Sequence, residues 1–185
     1  SSTAGNLYGL FPVGASTASS YRPVEINSTA SPTNTGSYTV THTEATGITD
    51  LSPVFDDDPT GGVLNIVRKH NAQFVTAISG VAGGTYNISV TMTDLLAGTL
   101  GDIRLAVSNG ATTVTTVGTH AAATGTAPNP TAGRTALTLA NLSGDFRITT
   151  TNSIATPLPI ELISFDASLD DSQVELYWST ASELN

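Results

Sequence analysis

Apolar and polar residues alternate along most of this chain with a period of two, the pattern of strands buried on one face only. The clearest run is Thr85 to Thr93, with Tyr86, Ile88, Val90 and Met92 on one face and Thr85, Asn87, Ser89, Thr91 and Thr93 on the other. The same period predicts strands over Tyr21 to Asn27 and over Ser37 to Glu44, where Tyr38, Val40 and His42 share a face. Leu7 to Pro12 is an apolar opening strand. Leu64 to His70 and Gln73 to Ile78 read as partners through a turn at Asn71-Ala72. Asp102 to Ser108 and Thr112 to Thr119 read as a hairpin about Asn109-Gly110, a tight-turn pair. Arg134 to Leu139 and Gly144 to Thr151 complete the set.

Helix signals are nearly missing. A short turn or helix is expected near Thr93 to Leu96, and Ala121 to Gly133, with Pro128 and Pro130, reads as a polar surface loop. Many short strands with turn residues between them predict an all-β fold, an antiparallel β-sandwich of jelly-roll or Ig-like kind. It carries a C-terminal β-hairpin extension.

The character of the chain changes at Thr156-Pro157-Leu158-Pro159, where each proline forbids helix and stiffens the backbone. Two more alternating strands follow. Ile163, Phe165, Ala167 and Leu169 lie on one face of the first, and Val174, Leu176 and Trp178 on one face of the second, with Asp170-Asp171 at the turn. The expected organisation is a sandwich domain over 1–155, a Pro-rich connector over 156–160 and a hairpin over 161–185. A lone hairpin is marginal in water, and bare side chains of this size form a patch that monomers avoid. The hairpin therefore covers its own domain, begins a fibronectin-like neighbour or donates strands to another subunit. Ile163, Phe165, Leu176 and Trp178 are the expected interface anchors.

Composition narrows the function. Of 185 residues none is cysteine, which removes disulfides, thiolate metal sites and cysteine nucleophiles. Six basic residues against fifteen acidic ones give a net charge of -9, which argues against nucleic acid and anionic membrane as partners. No apolar run approaches the roughly 20 residues of a membrane-spanning helix, so no membrane insertion is expected. Ser1 to Gly5 reads as a mature N-terminus or the edge of a fragment.

Candidate chemistry is sparse. Asp56, Asp57 and Asp58 precede a Gly turn and offer hard oxygen ligands of the kind Ca²⁺ takes, although they lack the spacing of an EF-hand loop. A solvated acidic turn is the favoured reading and calcium the alternative; no other cofactor is expected. His42, His70 and His120 are too scattered to give the near-neighbour pair of a zinc site. No Gly-x-Ser-x-Gly elbow and no phosphate loop is present, and the one lysine, Lys69, lies in a strand-like run. Enzymatic activity is not expected. Aromatics make up only 6%, so glycan stacking falls to Tyr8, Tyr21 and Tyr177. The Asn-x-Ser/Thr matches at Asn27, Asn87 and Asn141 read as chance.

Pro157-Leu158-Pro159-Ile160-Glu161-Leu162-Ile163-Ser164-Phe165-Asp166-Ala167, followed by Val174-Glu175-Leu176-Tyr177-Trp178-Ser179-Thr180-Ala181-Ser182-Glu183-Leu184-Asn185, resembles a junction in large secreted proteins of Bacteroidota. In that family the junction opens a fibronectin-like sandwich, usually followed by a sorting domain for type IX secretion. Phe11 to Gly14 and Tyr21 to Val24 more loosely resemble the β-rich domain that precedes it. The family normally continues well past the Ser-Glu-Leu-Asn segment, as this chain does not. The resemblance implies an extracellular or cell-surface address and carries over no catalytic residue. Two functions fit. The first is a structural subunit that self-associates into a filament or layer through its hairpin. The alternative is a glycan- or calcium-binding adhesion module of a larger secreted protein.

Overall fold

The computed structural model describes residues 8–14, 21–57, 64–93, 99–127, 129–152, 162–170 and 173–180. In chain order its strands begin with β1 (Tyr8–Phe11), β2 (Val24–Ala30), β3 (Ser37–Thr43), β4 (Ile48–Asp56), β5 (Asn65–His70), β6 (Gln73–Ser79) and β7 (Thr85–Thr91). They continue with β8 (Ile103–Ser108), β9 (Val114–Thr115), β10 (Thr119–Thr126), β11 (Asn129–Leu137), β12 (Gly144–Thr150), β13 (Leu162–Asp170) and β14 (Gln173–Thr180). A 3-10 turn at Leu100–Asp102 and one short helix, α1 (Leu139–Leu142), are the helical pieces among the described residues.

Two antiparallel sheets pack face to face, as the alternation predicts. The first has the order β1-β2-β7-β11-β10; the second runs β3-β6-β12-β5-β4, with β8 on the other edge of β12 and β9 beyond it. Between them lies one apolar core. Val24 and Ile26 come from β2, Tyr86, Ile88 and Val90 from β7, Phe74 from β6, Leu105 from β8, and Phe146 and Ile148 from β12. Each such side chain contributes roughly 1.5–3 kcal/mol when fully buried. The Tyr86 hydroxyl, carried into this core, donates to the Gly83 carbonyl at 2.9 Å and meets the Tyr38 hydroxyl at 3.2 Å.

Several expectations need correction. β5 and β6 do not form a hairpin. Phe146 of β12 pairs with Phe74 of β6, and Thr149 of β12 pairs with Lys69 of β5, along one edge of β12, while β8 holds the other edge. β5 and β6 thus run end to end as one long strand, and Asn71-Ala72 is a bulge rather than a reversal. Ala72 is buried in the core, which a turn tip would not be. The segment Ala121 to Gly133 is not a loop: β10 and β11 pair through it, from Thr119↔Thr135 to Thr126↔Asn129. Its alanines, threonines and glycines carry little hydrophobic contrast because β10 is an outer strand. The hairpin about Asn109-Gly110 does form, but β9 is only two residues long, and Thr119 opens a separate strand. β4, not expected at all, is an edge strand whose alternation is broken by Asp50 and Pro53, with a register shift between Asp50 and Phe55. Most of the expected turn at Thr93 to Leu96 lies outside the described residues.

The second sheet curls at one end. Ser52 N of β4 donates to the Thr112 carbonyl at 3.0 Å, and the Thr112 hydroxyl to the Ser52 carbonyl at 3.3 Å. The β4 and β9 ends thereby meet and enclose a smaller cluster of Leu51, Ile66, Ala106 and Val114. At the other end, β3 pairs with β6 over its full length, from Ser37↔Ser79 to Thr43↔Gln73. β13 and β14 form a sheet of their own.

Candidate functional site

Arginine, not histidine or clustered aspartate, dominates the polar interior. β4 ends at Asp56, and the next residue, Asp57, turns inward with its side chain 1% exposed. Nη1 of Arg134, on β11, donates to both Asp57 carboxylate oxygens, at 2.8 and 3.1 Å. The rest of that guanidinium is occupied by the Val117 and Gly118 carbonyls, at 2.8 and 3.2 Å. Gly118 has a positive φ of 62°, and a Cβ there would strike the Thr135 carbonyl oxygen, so this approach requires glycine. Arg104, on β8, brings Nε to 3.5 Å from the same carboxylate, and its Nη1 donates to the Gly101 and Ile103 carbonyls at 2.6 and 2.9 Å. Two buried guanidiniums thus face one carboxylate. Arg104 Nε and His120 Nδ1 are buried without a hydrogen bond. Burial, with Arg104 next in weight, pushes the His120 pKa down, since a third cation there would be costly.

A second network sits where β3 ends. Arg22 Nε and Nη2 donate to Glu44 at 2.7 and 3.0 Å, and Nη1 reaches Met92 Sδ and the Thr93 carbonyl. His42 lies between Glu44 Oε2 at 3.1 Å and the Gln73 carbonyl at 2.8 Å, with its ring 4.6 Å from that of Phe74. Burial works against the Glu44 carboxylate, but His42 and Arg22 outweigh it and hold its pKa below the usual range. Arg147 grips Asp145 at 2.8 Å through two nitrogens and the Asn71 carbonyl through Nη1, tying β12 to the bulge. Lys69, also buried, donates to Ser108 Oγ and the Gly110 carbonyl at 2.8 and 2.7 Å, closing the β8–β9 turn. A cavity of about 10 Å³ beside Lys69 and His70 has room for a single water.

The sequence candidates fare differently. Asp56 accepts the Leu64 amide at 2.9 Å, Asp57 serves the arginines, and Asp58 lies outside the described residues. Among the described residues no group of three or more acidic or histidine side chains is arranged to hold a metal ion. His42 and His70 flank the Arg22–Glu44 network, while His120 lies with Asp57 and Arg104. Tyr21 and Tyr177 are half exposed; the Tyr8 side chain lies outside the described residues. In the C-terminal hairpin, Phe165 faces Trp178, Ala167 faces Leu176 and Leu169 faces Val174 across the ladder, and Ile163 falls where the register shifts. The side chains of Ile163, Phe165, Leu176 and Trp178 and the connector 156–160 lie outside what the structure describes. Sequence reading missed the buried arginines. Their signal was present in Arg104 and Arg147, each inside an apolar strand run, in a chain with few charges.

No family model, curated protein or solved structure matches this chain.

His70 supplies a pH dependence. Its Nδ1 accepts the Ala72 amide at 3.0 Å, a bond that protonation would break. Burial, reinforced by the charge of Arg22, lowers its pKa from 6.5 to about 4. The unfolded chain therefore binds a proton that the folded chain refuses between those values. Stability falls as pH drops from 6.5 toward 4 and is insensitive to this group above 6.5. Urea midpoints measured from pH 7 down to pH 5 will decline, and His70→Gln will flatten part of that slope.

Proposed function

We propose that this chain is an exported structural subunit of an extracellular filament or surface layer, joined to the next copy by strand addition from its C-terminal hairpin. The observation that carries the reading is that β13 and β14 form a two-stranded sheet of their own, taken up by neither sheet of the sandwich. Two strands alone are marginal in water, and this register sets apolar residues opposite one another. Strand addition would satisfy the free backbone groups and cover Ile163, Phe165, Leu176 and Trp178 together. A head-to-tail contact of this kind does not close on itself, so it extends into fibres. The buried ion pairs support the same reading, since they tie strands of the sandwich together from inside. The type IX secretion address follows from the resemblance of the junction.

The second reading, an adhesion module that binds glycan, rests on the half-exposed rings of Tyr21 and Tyr177. Electron microscopy separates the two. The full chain will form filaments, and a chain lacking residues 157–185 will remain monomeric while keeping a cooperative thermal transition. Filaments from the shortened chain, or a full chain that stays monomeric and retains a specific sugar, would defeat the proposal.

A further inference from the structure

The geometry points to β3 as the receiving edge, with β14 of a second copy as the strand laid against it; this rests on the strand-addition reading above. A sheet edge recruits a strand when it is long, flat and uncharged, and natural edges are usually blunted by shortness, bulges, proline or charge. Judged by those criteria, the edges of this sandwich are unequal. β4 and the β9 end are bonded to each other through Ser52 and Thr112. β1 is four residues long. β10 is interrupted by a register shift between Ala121 and Thr124. β3 has none of these defences. Its seven residues, Ser-Tyr-Thr-Val-Thr-His-Thr, pair with β6 without a break and include no proline, glycine, lysine, arginine or carboxylate. Among the described residues it pairs with β6 alone, so its outer edge is open.

The hairpin offers a matching strand. β14 is eight residues long and carries one carboxylate, Glu175, whereas β13 carries Asp166 and Asp170. Alternation then fixes which face goes where. Tyr38 and Val40 turn inward and are only partly buried at the rim of the main core, while Thr39, Thr41 and Thr43 are exposed. With Leu176 and Trp178 on the inward side, β14 would extend the core over that rim. Tyr177, 56% exposed, would then fall on the outer face with the threonines. There it would pack on the β3 threonines and lean toward Val75, which faces Thr41 from β6 and is 37% exposed.

The chain has no cysteine, which allows a clean cross-linking test. Residues on one face of adjacent antiparallel strands have Cβ atoms about 4.5–5.5 Å apart when directly opposite, close enough for a disulfide. Protein carrying Tyr177→Cys is mixed in turn with protein carrying Thr39→Cys, Thr41→Cys or Thr43→Cys, oxidised, and run on a non-reducing gel. At least one mixture should give a linked heterodimer at ten-fold or greater excess over mixtures with Leu10→Cys on β1 or Ala122→Cys on β10. Linkage to Leu10→Cys or Ala122→Cys instead, with filaments still present, overturns the choice of β3 while strand addition stands. A chain carrying both Tyr177→Cys and Thr41→Cys is oxidised in parallel, and linkage found only within that single chain means the hairpin folds back on its own β3, which also overturns the choice. Failure of the unsubstituted chain to polymerise removes the strand-addition reading itself.

Discussion

Asp57→Ala should destabilise the sandwich by about 3–5 kcal/mol, the range found when one partner of a buried ion pair is removed. Asp57 is the carboxylate that Arg134 and Arg104 share, with Asp102 acting more weakly on Arg104, and the Asp57, Arg134 and Arg104 side chains are nearly inaccessible to water. Without it, two buried guanidiniums repel each other and only the weaker influence of Asp102 on Arg104 opposes their charge. Carbonyls still hold Arg134 Nε and Nη2 and Arg104 Nη1, but dipoles do not neutralise a buried charge. A domain of this size should lose roughly 10 °C in thermal midpoint. Adding Arg134→Met to Asp57→Ala should restore part of the loss, because an apolar side chain of similar reach removes one stranded cation. Urea titration of the single and double variants measures the difference. A single variant within about 1 kcal/mol of wild type would show that the pair is not the clasp described here.

Phe74→Ala should cost about 3–5 kcal/mol, the usual range for deleting a large buried ring. Phe74 is fully buried in the main core, opposite His42 on one side and Phe146 on the other. Its removal opens a cavity where β3, β6 and β12 adjoin and strips the ring on which His42 rests. The His42 contact to Glu44 is part of the Arg22 network, so the loss should spread there. Val75→Ala, one residue along but on the exposed face, should change stability by less than about 0.5 kcal/mol. Denaturant unfolding of both variants tests whether β6 is two-faced in this way.

Much of the fold was legible because a half-buried strand writes its burial into its sequence. β7 shows this best: Tyr86, Ile88 and Val90 are buried in strict alternation, as their spacing required. Legibility failed where the signal was not hydrophobic contrast. β10 is an outer strand of alanine, threonine and glycine, so nothing distinguishes it from a loop until β11 is placed beside it. β5 and β6 were visible as strands, but their relation was not, because a two-residue turn and a two-residue bulge look alike in one dimension. What settles the matter is β12, some seventy residues further on, lying along both. The ion-pair sites were the least legible, since Asp57 meets its arginines 47 and 77 residues away in sequence. Of the three adjacent aspartates, Asp57 is the one taken up by the arginines.

The position of β12 has a mechanical consequence. It is the last strand of the sandwich in chain order, and it is flanked on both edges, by β8 and by the β5–β6 line. Antiparallel ladder bonds lie across the strand direction. A pull applied through residue 152 and directed along β12 would load the bonds of both ladders in shear at once, rather than peeling them one after another from an edge. If copies are joined through the tail as proposed, tension would enter the sandwich at a strand held on both edges.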